Sequence, residues 1–325
     1  MSDFSFSTTG SDVVQRWGKY LAGKKGASTP GDTGASTGGL GGATATALAT
    51  ANPAPAHIIL LARSLPKVHG IINKISETSP QTKCSFIPIE LDEFDSVRKA
   101  ADCIKELVQH GKIDLLINNA GVMAIPWGKN KNGIEKTLAI NHLGHFLLTG
   151  LLMPLILKGD GGRVVNLSSA GYEMGPFRRE DWNFEDGKTY HPLSTYAQSK
   201  TANILFTIGL AQRYKRNGLL AFAVHPGFIP DTSLTTHVKS GLDVEEMDRI
   251  ARENTGYPFG PDPPKPLKQG IATTLVAALS PELEKHNGAY LADCQVADVR
   301  HYAKDPEIVE FLWGLSEKLL GELDS

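Results

Sequence analysis

Six short apolar runs without polar alternation constrain this chain more than any other feature. His57–Ala62 (HIILLA), Ser85–Leu91 (SFIPIEL), Ile113–Ile117 (IDLLI), Arg163–Leu167 (RVVNL), Leu219–Val224 (LLAFAV) and Ala289–Leu291 (AYL) read as strands covered on both faces. Helix-length segments lie between them: Leu40–Ala51, Ser96–His110, Gly133–Lys158, Ser194–Asn217 and Lys268–Leu279. Such alternation predicts an α/β fold in three layers, with a doubly wound parallel sheet between helices.

A chain of 325 residues permits one large domain or two small ones. No linker composition interrupts it, so a single domain over 1–325 is expected. Lys plus Arg number 33 against 35 Asp plus Glu, so no basic excess exists to hold a phosphate backbone, and no nucleic-acid partner is expected. Cys84, Cys103 and Cys294 are isolated, which suggests neither a disulfide framework nor a zinc site and fits a reducing compartment. The longest apolar stretch, Phe146–Leu157, is too short to span a bilayer and contains Pro154, so it reads as a buried helix. The N-terminus has no basic region followed by an apolar run and does not resemble a secretory signal. A cytoplasmic protein without a membrane span is expected.

Two stretches break the rhythm. Residues 172–193 are polar and aromatic and read as a long surface loop. Residues 229–268 carry Pro230, Pro258, Pro261, Pro263, Pro264 and Pro266, which forbid a continuous helix near the end of the segment. A long insertion late in an α/β fold reads as a substrate lid, with a decorative surface loop as the alternative.

Thr33–Gly42 (TGASTGGLGG) precedes an Ala-rich segment. Glycines before a helix let the backbone approach a pyrophosphate, whose charge the helix N-terminus favours. Gly34, Gly39, Leu40 and Gly41 are the candidates in this loop. NAD sites usually carry an acid near the end of the second strand. Between Thr33 and Ser76 there is no Asp or Glu, and the second strand runs into Arg63 and Ser64. A guanidinium and a hydroxyl suit a 2′-phosphate, so NADP (NADPH) is the expected cofactor.

Tyr196 and Lys200 stand four residues apart in a helical segment, on one face. A nearby ammonium favours the phenolate and would let the Tyr hydroxyl exchange a proton near neutral pH. The same spacing recurs at Tyr20 and Lys24, which precede the glycine loop and read as a coincidence in a surface helix. His142 and His145 could suggest a metal pair, but no nearby carboxylate or Cys completes a site, so helix packing is expected and no metal. Trp182, Phe184 and Tyr190 read either as a substrate mouth or as ordinary loop packing.

TGASTGGLG at 33–41, NNAG at 118–121, NHLGHF at 141–146, RVVNLSS at 163–169, YAQSK at 196–200 and HPG at 225–227 occur in the order found in short-chain dehydrogenases/reductases. The chain resembles that family over most of its length, and within it the retinol-dehydrogenase-like group common in fungi. The resemblance implies a Rossmann sheet of about seven strands and hydride transfer between a nicotinamide and a carbonyl or alcohol. By the same resemblance Tyr196 would be the general acid or base and Lys200 would lower its pKa and hold the nicotinamide ribose. Ser169 would bond the substrate oxygen, and Asn141 would anchor a water that relays protons to Lys200. Asn119, Ala120 and Gly121 would line the adenosine side, and Pro226, Gly227, Ile229 and Thr232 the nicotinamide carboxamide. Glu90, next to Leu91, stands where the family usually places an adenine-contacting Asp. His225 would be structural in its turn. A homodimer through the helices after Asn141 and Ser194 is the family expectation, and a hydrophobic small molecule is the expected substrate.

The sequence departs from that pattern at its first strand. Residues 25–32 (KGASTPGD) contain no large aliphatic residue, include Pro30, and share the GAST string with 34–37. Central strands need apolar cover on both faces and exclude proline. A weak first strand is therefore expected, and with it a weakened fold and poorer cofactor binding. That weakness keeps a rival reading open: a non-catalytic NADP-binding or scaffold protein. An extended-type epimerase fits less well, since a large second domain is missing.

Overall fold

In a computed structural model the described residues are 3–28, 39–109, 111–158, 161–230, 232, 234 and 243–321. Among them eight strands form one sheet in the order β3-β2-β1-β4-β5-β6-β7-β8. The strands are β1 (Lys25–Ser28), β2 (His57–Ala62), β3 (Lys83–Pro88), β4 (Leu115–Asn118), β5 (Arg163–Leu167), β6 (Leu220–Val224), β7 (Tyr290–Ala292) and β8 (Gln295–Ala297). All neighbours from β3 to β7 are parallel, and β8 is antiparallel to β7. The eighth strand was not expected. It returns through Asp293 and Cys294, both at positive φ. Neither is the Asn-Gly or Asp-Gly pair that marks a two-residue hairpin in a sequence.

The helices are α1 (Gly10–Trp17), α2 (Leu40–Ala49), α3 (Leu65–Thr78), α4 (Phe94–Leu107), α5 (Lys136–Leu138), α6 (Gly144–Ile156), α7 (Pro192–Tyr214), α8 (Val244–Thr255), α9 (Leu267–Gly270), α10 (Ala272–Leu279) and α11 (Pro306–Leu320). Alternate strand residues serve the two faces of the sheet. Ile59, Leu61, Leu116 and Val164 join α4, α6, α7 and α11 in one core layer. Ile58, Leu60, Leu115, Ile117 and Val165 join α1, α2, α3 and α10 in the other. Helix α3 was missing from the expected set, although Val68, Ile71 and Ile75 supply a buried stripe at helical spacing.

The compositionally poor first strand forms over Lys25–Ser28, between β2 and β4. Its neighbours provide the apolar cover: Ala27 is opposite Ile59 on one side and Leu116 on the other. A buried carboxylate pins its start. Asp114 accepts from the Lys25 N–H at 2.9 Å and pairs with Lys24 and Lys112 at 3.1 and 2.9 Å. Burial alone would raise the pKa of Asp114, but these donors outweigh it and hold the carboxyl below its ordinary value. Residues 29–32, also part of the expected weak strand, lie outside the described residues. A Cβ at Gly26 would meet Leu115 O at 3.4 Å, an ordinary contact. Gly26→Ala should therefore stabilise the protein by about 0.5–1 kcal/mol, read as a higher urea midpoint with unchanged slope.

The segment 172–193, expected at the surface, is irregular but anchored inside. Tyr172, Met174, Phe177 and Phe184 are all buried, so the aromatic residues that coloured its composition are packing groups. The continuous helical run Lys136–Ile156 is long and apolar enough to cross a membrane, yet 78% of its most apolar window is buried within the fold. It is the core helix that the sequence pattern predicts.

Candidate active site

The sheet order reverses between β1 and β4, and ligands of such folds bind outside the carboxyl ends of the strands at that point. A cavity of about 400 Å³ opens there. Leu40 reaches it from the start of α2, and Asn119 and Gly121 from the end of β4. Ser169 and Gly171 follow β5, Tyr196 and Lys200 project from α7, and Pro226, Gly227, Ile229 and Thr232 follow β6.

Tyr196 and Lys200 are almost fully buried, and the ammonium nitrogen lies 5.5 Å from the phenol ring centre. The Tyr196 hydroxyl is not brought toward neutrality as its spacing from Lys200 suggests: burial pushes it up to about 12, and the opposing influence is a hydrogen bond with Ser169. Burial pushes Lys200 down to about 8. Lys200 Nζ donates to Leu167 O at 3.1 Å. The two serines after β5 differ in their commitments. Both line the cavity, but the Ser168 hydroxyl is spent on Lys200 O, to which it donates at 2.8 Å, whereas Ser169 accepts from the Gly171 N–H at 3.0 Å. A Cβ on Gly171 would lie 2.7 Å from Tyr196 Cε1, so the absent side chain lets the serine turn close on the phenol.

Asn141 is fully buried in a π-turn over Ala139–Leu143 that joins α5 to α6. Its Oδ1 accepts from the Val122 N–H at 2.8 Å, and its Nδ2 donates to Val122 O and Ser199 Oγ, each at 2.9 Å. The side chain thus clamps the loop after β4 to α7. A Cβ at Gly121 would meet Asn141 Oδ1 at 3.2 Å and Lys200 Nζ at 3.4 Å. Glycine there leaves the backbone open toward the cavity. Helix α2 follows Gly39, which as the N-cap residue offers no side-chain cap to the first-turn N–H groups. A buried, uncapped N-terminus of this kind suits a pyrophosphate.

The remaining expected residues divide. Gly34 lies outside the described residues. Gly39 and Gly41 are buried at the start of α2. Arg63, Ser64 and Glu90 stand at the carboxyl ends of β2 and β3, outside the cavity wall, and so does Ala120 after β4. Leu91 faces the core instead, its backbone pressed on Gly144 of α6. Lys67, one turn into α3, has its pKa lowered by burial and by the charge of Arg63, which places a second cation near the end of β2. Sequence reasoning passed over it because Lys67 has no motif of its own. The apolar wall formed by Met123, Leu234, Met247 and Phe259 was also not read from the sequence. Three of these four belong to the 229–268 insertion, and no short pattern announces them.

Other candidates settle elsewhere. Tyr20 is 45% exposed and Lys24 pairs with Asp114, away from the cavity. His142 Nε2 lies 2.9 Å from Ser316 Oγ, with its ring between Phe146 and Phe206, and His145 Nδ1 donates to Asn141 O at 3.1 Å. Trp182, Phe184 and Tyr190 do not line the cavity. Tyr190 instead packs against Trp127 and Phe184 and donates to Ile125 O.

Residues 33–180 match the model of the short chain dehydrogenase family. Retinol dehydrogenase 12 of Mus musculus is 34% identical over 266 residues, covering 82% of this chain and 79% of that protein. The chain belongs to the short-chain dehydrogenase/reductase family. A short-chain dehydrogenase/reductase of Penicillium roqueforti is 36% identical over 278 residues, covering 81% of this chain and 77% of its own. Among solved structures, an uncharacterised protein from Mycobacterium paratuberculosis matches with a TM-score of 0.67 at 29% identity, covering 93% of this chain and 95% of that one. An NADPH-bound carbonyl reductase from chicken fatty liver matches with a TM-score of 0.61 at 19% identity, covering 85% and 99%, and so shares the fold. As a member of this family, the dehydrogenase/reductase is an oxidoreductase that transfers hydride between a nicotinamide cofactor and a CH–OH or C=O group of a small molecule.

Proposed function

We propose that this short-chain dehydrogenase/reductase uses NADPH to reduce a hydrophobic or aromatic carbonyl compound, and oxidises the corresponding alcohol in reverse. The observation that carries the reading is the meeting of Tyr196 and Ser169 with an apolar cavity of about 400 Å³. The bound nicotinamide supplies or accepts the hydride. Around it, the N-terminus of α2 with Gly34, Gly39, Leu40 and Gly41 would hold the pyrophosphate. Asn119, Ala120, Gly121 and Glu90 would border the adenosine, and Pro226, Gly227, Ile229 and Thr232 the carboxamide. Ser169 would orient the substrate oxygen. Tyr196, protonated at neutral pH, would give its proton to the oxygen as the alkoxide develops, and Lys200 and Asn141 would resupply it. The 229–268 insertion would act as the lid: Met247 and Phe259 place apolar side chains over the substrate space.

Preference for NADP rests on Arg63, Ser64 and Lys67 and on the missing acid after β2. Melting the protein with NADPH or NADH tests it. A ligand at a hundredfold excess over its dissociation constant adds about 2.7 kcal/mol of stability. NADPH should raise the melting temperature more than NADH, and Arg63→Asp should reverse the order. Unchanged NADPH affinity in that variant would remove Arg63 from the site.

We further read the protein as cytoplasmic, in keeping with its three free cysteines. A role in fungal specialised metabolism is part of the same proposal. A homodimer through α6 and α7, the helices after Asn141 and Ser194, is likewise part of the proposal.

A further inference from the structure

His225 joins two parts of the site that no sequence motif connects. It follows β6, is buried, and lines the cavity. The Ala170 N–H donates to His225 Nδ1 at 3.0 Å. Nδ1 is therefore an acceptor, and the ring hydrogen sits on Nε2. Nε2 lies 2.7 Å from Asp262 Oδ2, so the imidazole donates to that carboxylate. One ring thus spans the serine turn on one side and the insertion on the other.

Both ends matter for the site. Ala170 follows Ser169 directly, and the Gly171 N–H fixes the Ser169 oxygen while Gly171 itself lies against the Tyr196 ring. Asp262 sits among Pro261, Pro263, Pro264 and Pro266, whose fixed φ makes the segment a stiff strap. The strap has a second tie: the Lys265 N–H donates to Phe228 O at 2.8 Å, and Phe228 bridges to Pro264. The Lys265 stem packs on Gly227, whose φ is +93°. Its ammonium pairs with Asp293 and lies 4.3 Å from the Phe6 ring centre. Asp262, His225 and the Ala170 peptide thus form one unbroken hydrogen-bonded chain from the strap to the serine turn.

We propose that His225 is a positioning residue that couples the seating of the 261–265 strap over the cavity to the setting of the Ser169 hydroxyl. The catalytic half of this proposal rests on the carbonyl reduction proposed above; the mechanical half does not. Hydrogen exchange of the full chain reads the mechanical half. Asp262→Ala should speed exchange at least tenfold in 259–265 and also at Ala170, whereas Asp262→Asn, which keeps an acceptor for Nε2–H, should restore protection at both. Faster exchange in the strap with Ala170 unchanged would overturn the coupling.

Steady-state reduction of an apolar aromatic aldehyde with NADPH reads the catalytic half. An Asn side chain can replace Nδ1 as the acceptor for Ala170 but does not reach Asp262. His225→Asn should therefore raise KM about fivefold with kcat within about threefold of wild type. His225→Ala should lower kcat at least tenfold as well. Equal kcat losses in the two variants would overturn the positioning role. Coupled exchange in a protein that turns over no carbonyl would refute the proposed reduction and leave the coupling intact.

Discussion

Tyr196→Phe should lower kcat for carbonyl reduction by about 10²–10⁴-fold, the usual worth of one placed acid. The change removes a single oxygen from a side chain that is 4% exposed and keeps the ring against Gly171. Packing is therefore retained, and the melting temperature and its rise with NADPH should stay close to wild type. The phenol is a strong candidate because its environment favours the protonated form: burial raises it to about 12, and Lys200 shares the site with a pKa near 8. A protonated phenol at neutral pH is the form that donates to a developing alkoxide. Steady-state kinetics with a panel of apolar aldehydes and ketones provides the measurement. A variant within tenfold of wild type would exclude Tyr196 as the acid and move attention to a solvent-derived proton.

Strands and site differ in how far the sequence exposes them. β2 and β5 coincide with the apolar runs because both faces of a parallel strand must be covered, and such runs are visible in isolation. β1 is legible as a weak strand, but what secures it is not. What secures it, the Asp114 clamp and the flanking Ile59 and Leu116, comes from segments far along the chain. The hairpin that adds β8 was hidden because Asp293 and Cys294 adopt positive φ without the usual glycine. Asn141, Ser169 and Tyr196 carry little information one at a time. Their order among family motifs brought them together in the reading, and the fold brings them together in space. Asp262 and Met247 had no such help. They lie in an insertion whose composition shows proline and little else, and only the packing of α8 and the strap over the cavity gives them a place.

Acid should unfold this protein earlier than its carboxylates alone would require. His57, His142 and His145 are each less than 5% exposed. Burial, aided by the charges of Lys83 and Lys25, pushes His57 down to about 4. Burial pushes His142 to about 3, and burial together with Lys200 pushes His145 to about 4. An imidazole in the unfolded chain titrates near 6.5. Folded pKa values thus lie below the unfolded one, so the stability these residues contribute is present above pH 6.5 and is lost as pH falls toward 4. In that window the unfolded state binds three protons that the folded state refuses. Each is worth about 1.4 kcal/mol per pH unit, or about 4 kcal/mol per unit together. Between pH 6.5 and 5 the loss reaches about 6 kcal/mol, a large share of the about 5–15 kcal/mol that a domain holds in total. Urea melts at pH 7, 6 and 5 measure the slope directly. His142→Gln removes one of the three protons and should reduce the slope by about a third. A stability that stays flat from pH 7 to 5 would mean that these imidazoles accept protons within the fold, and that the packing of His142 between Phe146 and Phe206 opens at little cost.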